Sequence, residues 1–316
     1  YVVPVPSPAP QYYGYPQPGT SKIYVANYGG NSISVIDREE KSVIKTYTSS
    51  PGYGSISQPT AVTLAYDSSA GLAQIVTVYT TIAFTDRKDI ETTGGTIRFI
   101  DPSSESIVDE WEIGIADFDP VDIAFTPANS AFWLTGKGTD QVLRVVFAGA
   151  GPPFETDPAP SLTEISHASI VDPARIAVTS DYVFVTNSGS DYVTVLNDDG
   201  VVQTAIDVGS PQIDAVIIGD KLYVSTTDNK IKVLATTSPF AVSDTILGFG
   251  GDIGCVGESP GGNLFVGSGS GENTIYDVDI GAALPTIASF TFSQDRPFEF
   301  FFPDTANEPP DEITVS

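Results

Sequence analysis

The chain has 316 residues, of which 41% are apolar and 10% aromatic, a globular composition long enough to bury roughly 75% of its unfolded surface. Its 40 acidic and 14 basic residues leave a net charge of −26, which repels nucleic acid and anionic lipid and excludes both as direct partners. No stretch approaches the ~18 apolar residues of a membrane helix, so no membrane span is expected.

Residues 1–19 form a Pro/Tyr-rich segment with Pro4, Pro6, Pro8, Pro10, Pro16 and Pro18. Prolines lack backbone donors and favour polyproline II, so this segment is expected to run as an extended tail outside any central strand. Tyr12, Tyr13 and Tyr15 make it adhesive, which fits either a semi-rigid tether or an arm that docks on a neighbouring subunit. A chain that starts at Tyr1 without Met is also the expected product of signal-peptide removal, which points to export.

From Lys22 the texture changes to short β-branched runs separated by Gly, Asn and Asp, the pattern of many short strands. A strand–turn–strand unit recurs as IYVANYGGNSISVID (23–37), VFVTNSGSDYVTVLN (183–197), LYVSTTDNKIKVLA (222–235) and LFVGSGSGENTIYDV (264–278). Weaker copies are FWLTGKGTDQVLRVV at 132–146 and the divergent pair 75–84 and 95–101. Alternation in Ser32-Ile33-Ser34-Val35 and Tyr192-Val193-Thr194-Val195 predicts strands with one buried face. The Gly, Asn and Asp residues between them supply the positive-φ positions of a hairpin.

A Pro-marked apolar strand precedes most copies, starting at Pro59, Pro120, Pro173 and Pro211, because proline is tolerated at a strand's first residue. A fourth strand follows at 42–49, 106–114 and 201–209. The extra length near 85–95 and 148–165 reads as loop insertion. The fold class is therefore all-β, a β-propeller of four-stranded blades over 20–304, flanked by the 1–19 tail and an extended acidic tail at 305–316. Six blades are expected, with seven as the alternative. The first hairpin lacks a preceding strand and Pro297–Phe302 lacks a following hairpin, so the C-terminal strand is expected to close the first blade.

Tyr24-Val25-Ala26-Asn27 and Phe184-Val185-Thr186-Asn187, each followed by a Gly-containing turn and then Ser-Val-Ile-Asp or Thr-Val-Leu-Asn, resemble the YVTN β-propeller repeat. Pro120–Pro127 (PVDIAFTP) is similar to the strand that opens such repeats. The resemblance is strongest at 172–209 and 22–48 and weakest at 58–114. It implies a propeller of a surface-layer or other extracellular protein, and it says little of chemistry, since propellers host enzymes and binding modules alike.

Candidate chemistry is sparse. His167 is the only histidine, stands in Ile165-Ser166-His167-Ala168-Ser169, and has no nucleophile-elbow motif to pair with. Cys255 is the only cysteine, so disulfides and Cys-cluster metal sites are excluded, and its apolar neighbours Ile253 and Val256 predict a buried structural thiol. No catalytic residue and no cofactor are expected. The carboxylates of Asp117, Asp119 and Asp122, and of Asp277 and Asp279, are the oxygen-rich groups that would suit Ca²⁺, although aspartates are also ordinary turn residues. The Gly-rich strings lack the GK[ST] of a phosphate loop, and no N-x-[ST] glycosylation site occurs.

The expected function is that of an extracellular structural or interaction propeller, displayed on the cell surface or assembled into a layer or filament, with protein partners or its own copies. One alternative is a glycan- or ligand-binding module that stacks sugars on Trp111, Trp133 or tyrosines. The other is a carboxylate-dependent enzyme of lactonase-, hydrolase- or quinoprotein-like type.

Overall fold

The strands end where the sequence places Gly, Asn or Asp at a left-handed position. Asn31, Asp140 and Asn229 have φ of 48°, 52° and 60°, and each immediately precedes the third strand of its blade. Asn and Asp tolerate this region because their short polar side chains bond locally. The computed structural model describes residues 2–4, 22–27, 30–37, 42–50, 54–55, 59–67, 72–86, 89–101, 106–126, 131–147, 159–259, 262–269, 274–281 and 285–291.

The first sheet joins Val2–Pro4 (β1), Lys22–Asn27 (β2), Ser32–Asp37 (β3) and Ser42–Tyr47 (β4) in that order. A two-stranded ribbon follows, Ser49–Ser50 (β5) with Gly54–Ser55 (β6). Five blades then each take four consecutive strands. The first is Pro59–Asp67 (β7), Leu72–Asp86 (β8), Asp89–Asp101 (β9) and Ser106–Glu112 (β10). The next is Pro120–Thr126 (β11), Ala131–Gly136 (β12), Gln141–Val146 (β13) and Ser161–Ile165 (β14). Pro173–Val178 (β15), Tyr182–Asn187 (β16), Tyr192–Asn197 (β17) and Val202–Asp207 (β18) follow. The last two are Gln212–Ile218 (β19), Lys221–Thr226 (β20), Lys230–Ala235 (β21) and Val242–Ile246 (β22), then Ile253–Glu258 (β23), Leu264–Ser268 (β24), Thr274–Asp279 (β25) and Thr286–Thr291 (β26). No helix among the described residues is long and apolar enough to cross a membrane.

The expectation of six blades closed by the C-terminal strand is corrected to five blades of consecutive strands among the described residues. The first sheet is completed instead from the N-terminal segment, with Val2↔Val25, Val3↔Tyr24 and Pro4↔Ile23 in antiparallel register. Proline is compatible with this place because β1 lies at the end of its sheet, where one row of backbone groups needs no partner. Pro297–Phe302, the expected closing strand, lies outside the described residues. The insertion expected near 85–95 is also no loop. It lengthens β8 and β9, which remain paired from Ile75↔Ile100 to Asp86↔Asp89.

The chain divides into two compact units, Tyr1–Val185 with Thr194–Gln203, and Thr186–Val193 with Thr204–Ser316. In the first, neighbouring sheets bury three apolar clusters between them. Tyr24, Ile33, Val35 and Tyr47 meet Val62, Ile100 and Ile107. Ala61, Ile97 and Phe99 meet Ile123, Phe125, Phe132 and Phe147. Trp133, Ala124 and Val142 meet Ile176, Val183 and Leu196. Adjacent residues such as Ala61 and Val62, or Phe132 and Trp133, feed opposite clusters, as the two-residue period of a strand requires. Phe147 sits edge-on to Phe99 at 5.0 Å and to Phe132 at 5.6 Å, the geometry favoured by ring quadrupoles. In the second unit Ile218, Tyr223 and Val233 pack with Ile253, Val266 and Tyr276.

A blade covered on both sides has no polar face along its middle strands. β17 is buried from Val193 to Leu196, Thr194 included, which corrects the one-buried-face expectation for that strand, and β12 is buried along its whole length.

Candidate functional site

The last residue of the second strand sits where the hairpin turns, and in β2, β16 and β20 its side chain closes that turn. Asn27 Nδ2 donates to Ser32 Oγ at 3.1 Å and Ser34 Oγ at 2.8 Å. Asn187 Nδ2 donates to the carbonyl of Tyr192 at 2.7 Å, and Thr226 Oγ1 to that of Lys230 at 2.9 Å. The asparagine of the recurring motif is thus a hairpin clamp. The equivalent residue of β12 is Gly136, because Phe118 occupies the space: a Cβ there would lie 2.0 Å from Phe118 Cε2.

The first strands carry a second recurring device. Register shifts fall between Pro120 and Asp122 and between Gln212 and Asp214, so each aspartate follows a bulge that re-aims its side chain. The backbone N–H of Asp122 donates to Thr135 Oγ1 and that of Asp214 to Ser225 Oγ, both at 3.1 Å. Each carboxylate then reaches the first strand of the following blade. Asp122 Oδ2 accepts the N–H of Ile176, and Asp214 Oδ2 accepts the N–H of Val256, both at 3.0 Å. Gln212 adds a further tie in the second unit, where its Oε1 accepts the N–H of Asn187 at 2.8 Å and its Nε2 donates to the carbonyls of Ser190 and Ser210. Carboxylates held this way, at 1% and 7% exposure, bind backbone and stitch strands together.

Of the Ca²⁺ candidates, Asp122 is therefore a clamp. Asp117 occupies a turn at φ 59°, and the carbonyl of Asp119 accepts the N–H of Lys137. Asp277 accepts from Asn263 Nδ2 at 2.9 Å, and Asp279 from the N–H of Gly281 at 2.9 Å. Among the described residues no three His, Cys, Asp or Glu side chains gather where they could hold a metal ion. Tyr12, Tyr13 and Tyr15 lie outside the described residues. Asp214 and Gln212 escaped the sequence reading; the recurrence of Asp two residues after Pro120 and after Gln212 was the available signal.

His167 is exposed, and its Nδ1 lies 2.8 Å from Ser169 Oγ and accepts the N–H of Ser169 at 3.2 Å. Ser169 Oγ is in turn 2.8 Å from Thr194 Oγ1, which also bonds the carbonyl of Ser169, so the group orders a connecting turn. Cys255 is exposed, correcting the buried-thiol expectation: its Sγ lies where a side chain on Gly267 would stand, 2.7 Å from that Cβ position. Trp133 is fully buried and donates through Nε1 to Thr126 Oγ1 at 3.1 Å, so it is core. Trp111 is partly buried, edge-on to Phe147 at 5.8 Å.

Among the described residues, two titratable groups depart from their ordinary behaviour. Burial, then the charges of Asp220 and Asp244, push the Tyr223 hydroxyl above the usual tyrosine range. For Asp228, burial raises the carboxyl, but hydrogen bonds from Lys230 and Thr226 and the charges of Lys230 and Lys232 outweigh it and hold the group below the usual range. Arg98, 1% exposed, bonds Glu110 through both Nε (3.0 Å) and Nη2, joining β9 to β10.

No protein-family model matches the chain, and no curated protein matches it. Among solved structures, a functionally unknown protein from Desulfotomaculum acetoxidans is similar over 84% of this chain and 80% of its own, at 14% identity and a TM-score of 0.60. The β-propeller domain of Cps50 (Swd1) from Myceliophteria thermophila is similar over 87% and 90%, at 10% identity and a TM-score of 0.61. A streptogramin B lyase is similar over 93% and 88%, at 14% identity and a TM-score of 0.58. Likeness at this identity establishes the β-propeller fold alone.

Proposed function

We propose that this chain is an extracellular structural or interaction propeller of the YVTN type, assembled with its own copies into a surface layer or filament. The observation that carries the reading is the first sheet. Five blades draw their strands from consecutive sequence, whereas β2 takes a neighbour, β1, from across a 17-residue proline- and tyrosine-rich stretch. A strand delivered on such a tether fits the same edge of a neighbouring copy as well as its own, the low-cost route to association that strand exchange offers. The aspartates that sequence offers for chemistry also support it. Asp122 spends its carboxylate on backbone, and Asp277 and Asp279 accept local donors.

Deleting residues 1–19 tests the reading. The truncated chain should keep the β-rich circular dichroism of the five blades and sediment as a monomer, while the full chain sediments as larger species. An unchanged assembly state would sink strand exchange.

A further inference from the structure

A propeller whose blades end in exposed strands risks pairing edge to edge with other chains, and charged side chains on those strands are a usual defence. The fourth strands here are not defended alike. β10 carries Asp109, Glu110 and Glu112; β14 carries Glu164; β18 carries Asp207; β22 carries Asp244. β26 (TIASFT) carries no charge, and β4 (SVIKTY) carries only the cation Lys45. Each of these two lies at the end of its sheet, with no described strand on its outer side.

Their surroundings are complementary. On β4, Val43 and Ile44 are 59% and 40% exposed, an apolar step beside Lys45. On the last blade Ala288 stands opposite Asp277 and Thr286 opposite Asp279, so two carboxylates share a face with two small exposed side chains. A strand added beside β26 would lie two strand spacings, roughly 10 Å, from β25. A lysine leaning over Ala288 and Thr286 spans that gap to a carboxylate. β4 has a bulge near Val43, which leaves Lys45–Tyr47 regular for pairing.

We infer that β4 of one copy adds to the edge of β26 in a second copy, with Lys45 facing Asp277 and Asp279. The second copy is the fitting occupant for a reason of charge. Two copies of equal net charge, −26, repel over most of their surfaces and meet best where a cation on one faces carboxylates on the other across edge strands that carry no carboxylate themselves; of the fourth strands only β4 and β26 carry none. The contact is heterologous, one surface against a different one, so it repeats from copy to copy and generates a ring or an open filament. The inference rests on the self-assembly reading and adds a second contact, made by residues outside 1–19, that strengthens the association the exchanged strand begins and does not hold copies together without it.

Charge reversal tests it on the full chain by sedimentation velocity near ~0.15 M salt, where the Debye length is about 8 Å. Lys45→Glu alone and Asp277→Lys/Asp279→Lys alone should each weaken association about tenfold or more, because like charges then face each other. Mixing the two variant chains one to one should restore association, since each junction again pairs opposite charges. Variants that associate like the parent, or a mixture that restores nothing, would overturn the edge pairing. If that happens while removal of residues 1–19 still dissolves the assembly, only the edge pairing fails. A parent chain that stays monomeric overturns both readings.

Discussion

Asp122 Oδ2 accepts the backbone N–H of Ile176 at 3.0 Å, so one buried carboxylate ties the first strand of a blade to the first strand of the next. The same relation holds between Asp214 and Val256 in the second unit. Removing the acceptor leaves a buried N–H without its partner, which costs about 1–3 kcal/mol. Asp122→Ala should therefore lower the unfolding free energy measured by denaturant titration by that amount, and Asp122→Asn, which keeps a carbonyl oxygen, should lose less. Equal losses for Ala and Asn would show that the charge, not the acceptor, matters.

Gly136 is fixed by Phe118 rather than by its own backbone. Gly136→Ala drives a methyl into the Phe118 ring and should destabilise by roughly 1–3 kcal/mol, the usual cost of overpacking. Phe118→Leu in the same chain should recover part of that loss. Thermal melts of the three variants decide the point, and an unperturbed Gly136→Ala would refute the packing account.

The two tryptophans separate the interaction reading from glycan stacking. With Trp111→Phe, the remaining emission comes from Trp133, which is fully buried. That emission should be blue-shifted, weakly quenched by acrylamide and unmoved by soluble sugars. Trp133→Ala should cost about 3–5 kcal/mol through the cavity it leaves. Sugar-dependent emission in the Trp111→Phe chain would instead favour a binding module.

Alkaline pH should act through Tyr223. Its hydroxyl is held above the ordinary tyrosine range by burial and then by Asp220 and Asp244, so the folded state keeps the proton longer than the unfolded one. The stability this lends is complete below the unfolded value of about 10 and is lost as pH rises through the folded value. Tyr223→Phe should flatten the loss of stability above about pH 10 relative to the parent chain. A parallel pH dependence in the two proteins would contradict the assignment.

Much of the fold was legible because the repeat writes itself into the chain. Pro59, Pro120 and Pro173 each open a first strand, and Asn27 and Asn187 each end a second one. The count of blades was not legible, since it depended on which remote segment completes the first sheet. Val2–Pro4 looks like tail by composition, and proline at a sheet edge costs no ladder bond, so composition could not exclude it. The role of Asp122 was hidden for a related reason. Asp122 resembles a solvated or metal-binding aspartate in sequence, and only the bulge beside it and the neighbouring blade turn it inward. The Cys255 thiol likewise stands against Gly267, which has no side chain to cover it, a neighbour that local hydropathy does not encode.

The central claim is self-assembly, and electron microscopy of the native material tests it most directly. The account predicts a lattice or fibres built from propeller-sized repeats, absent from material lacking residues 1–19. Dispersed single propellers in the native preparation would contradict it.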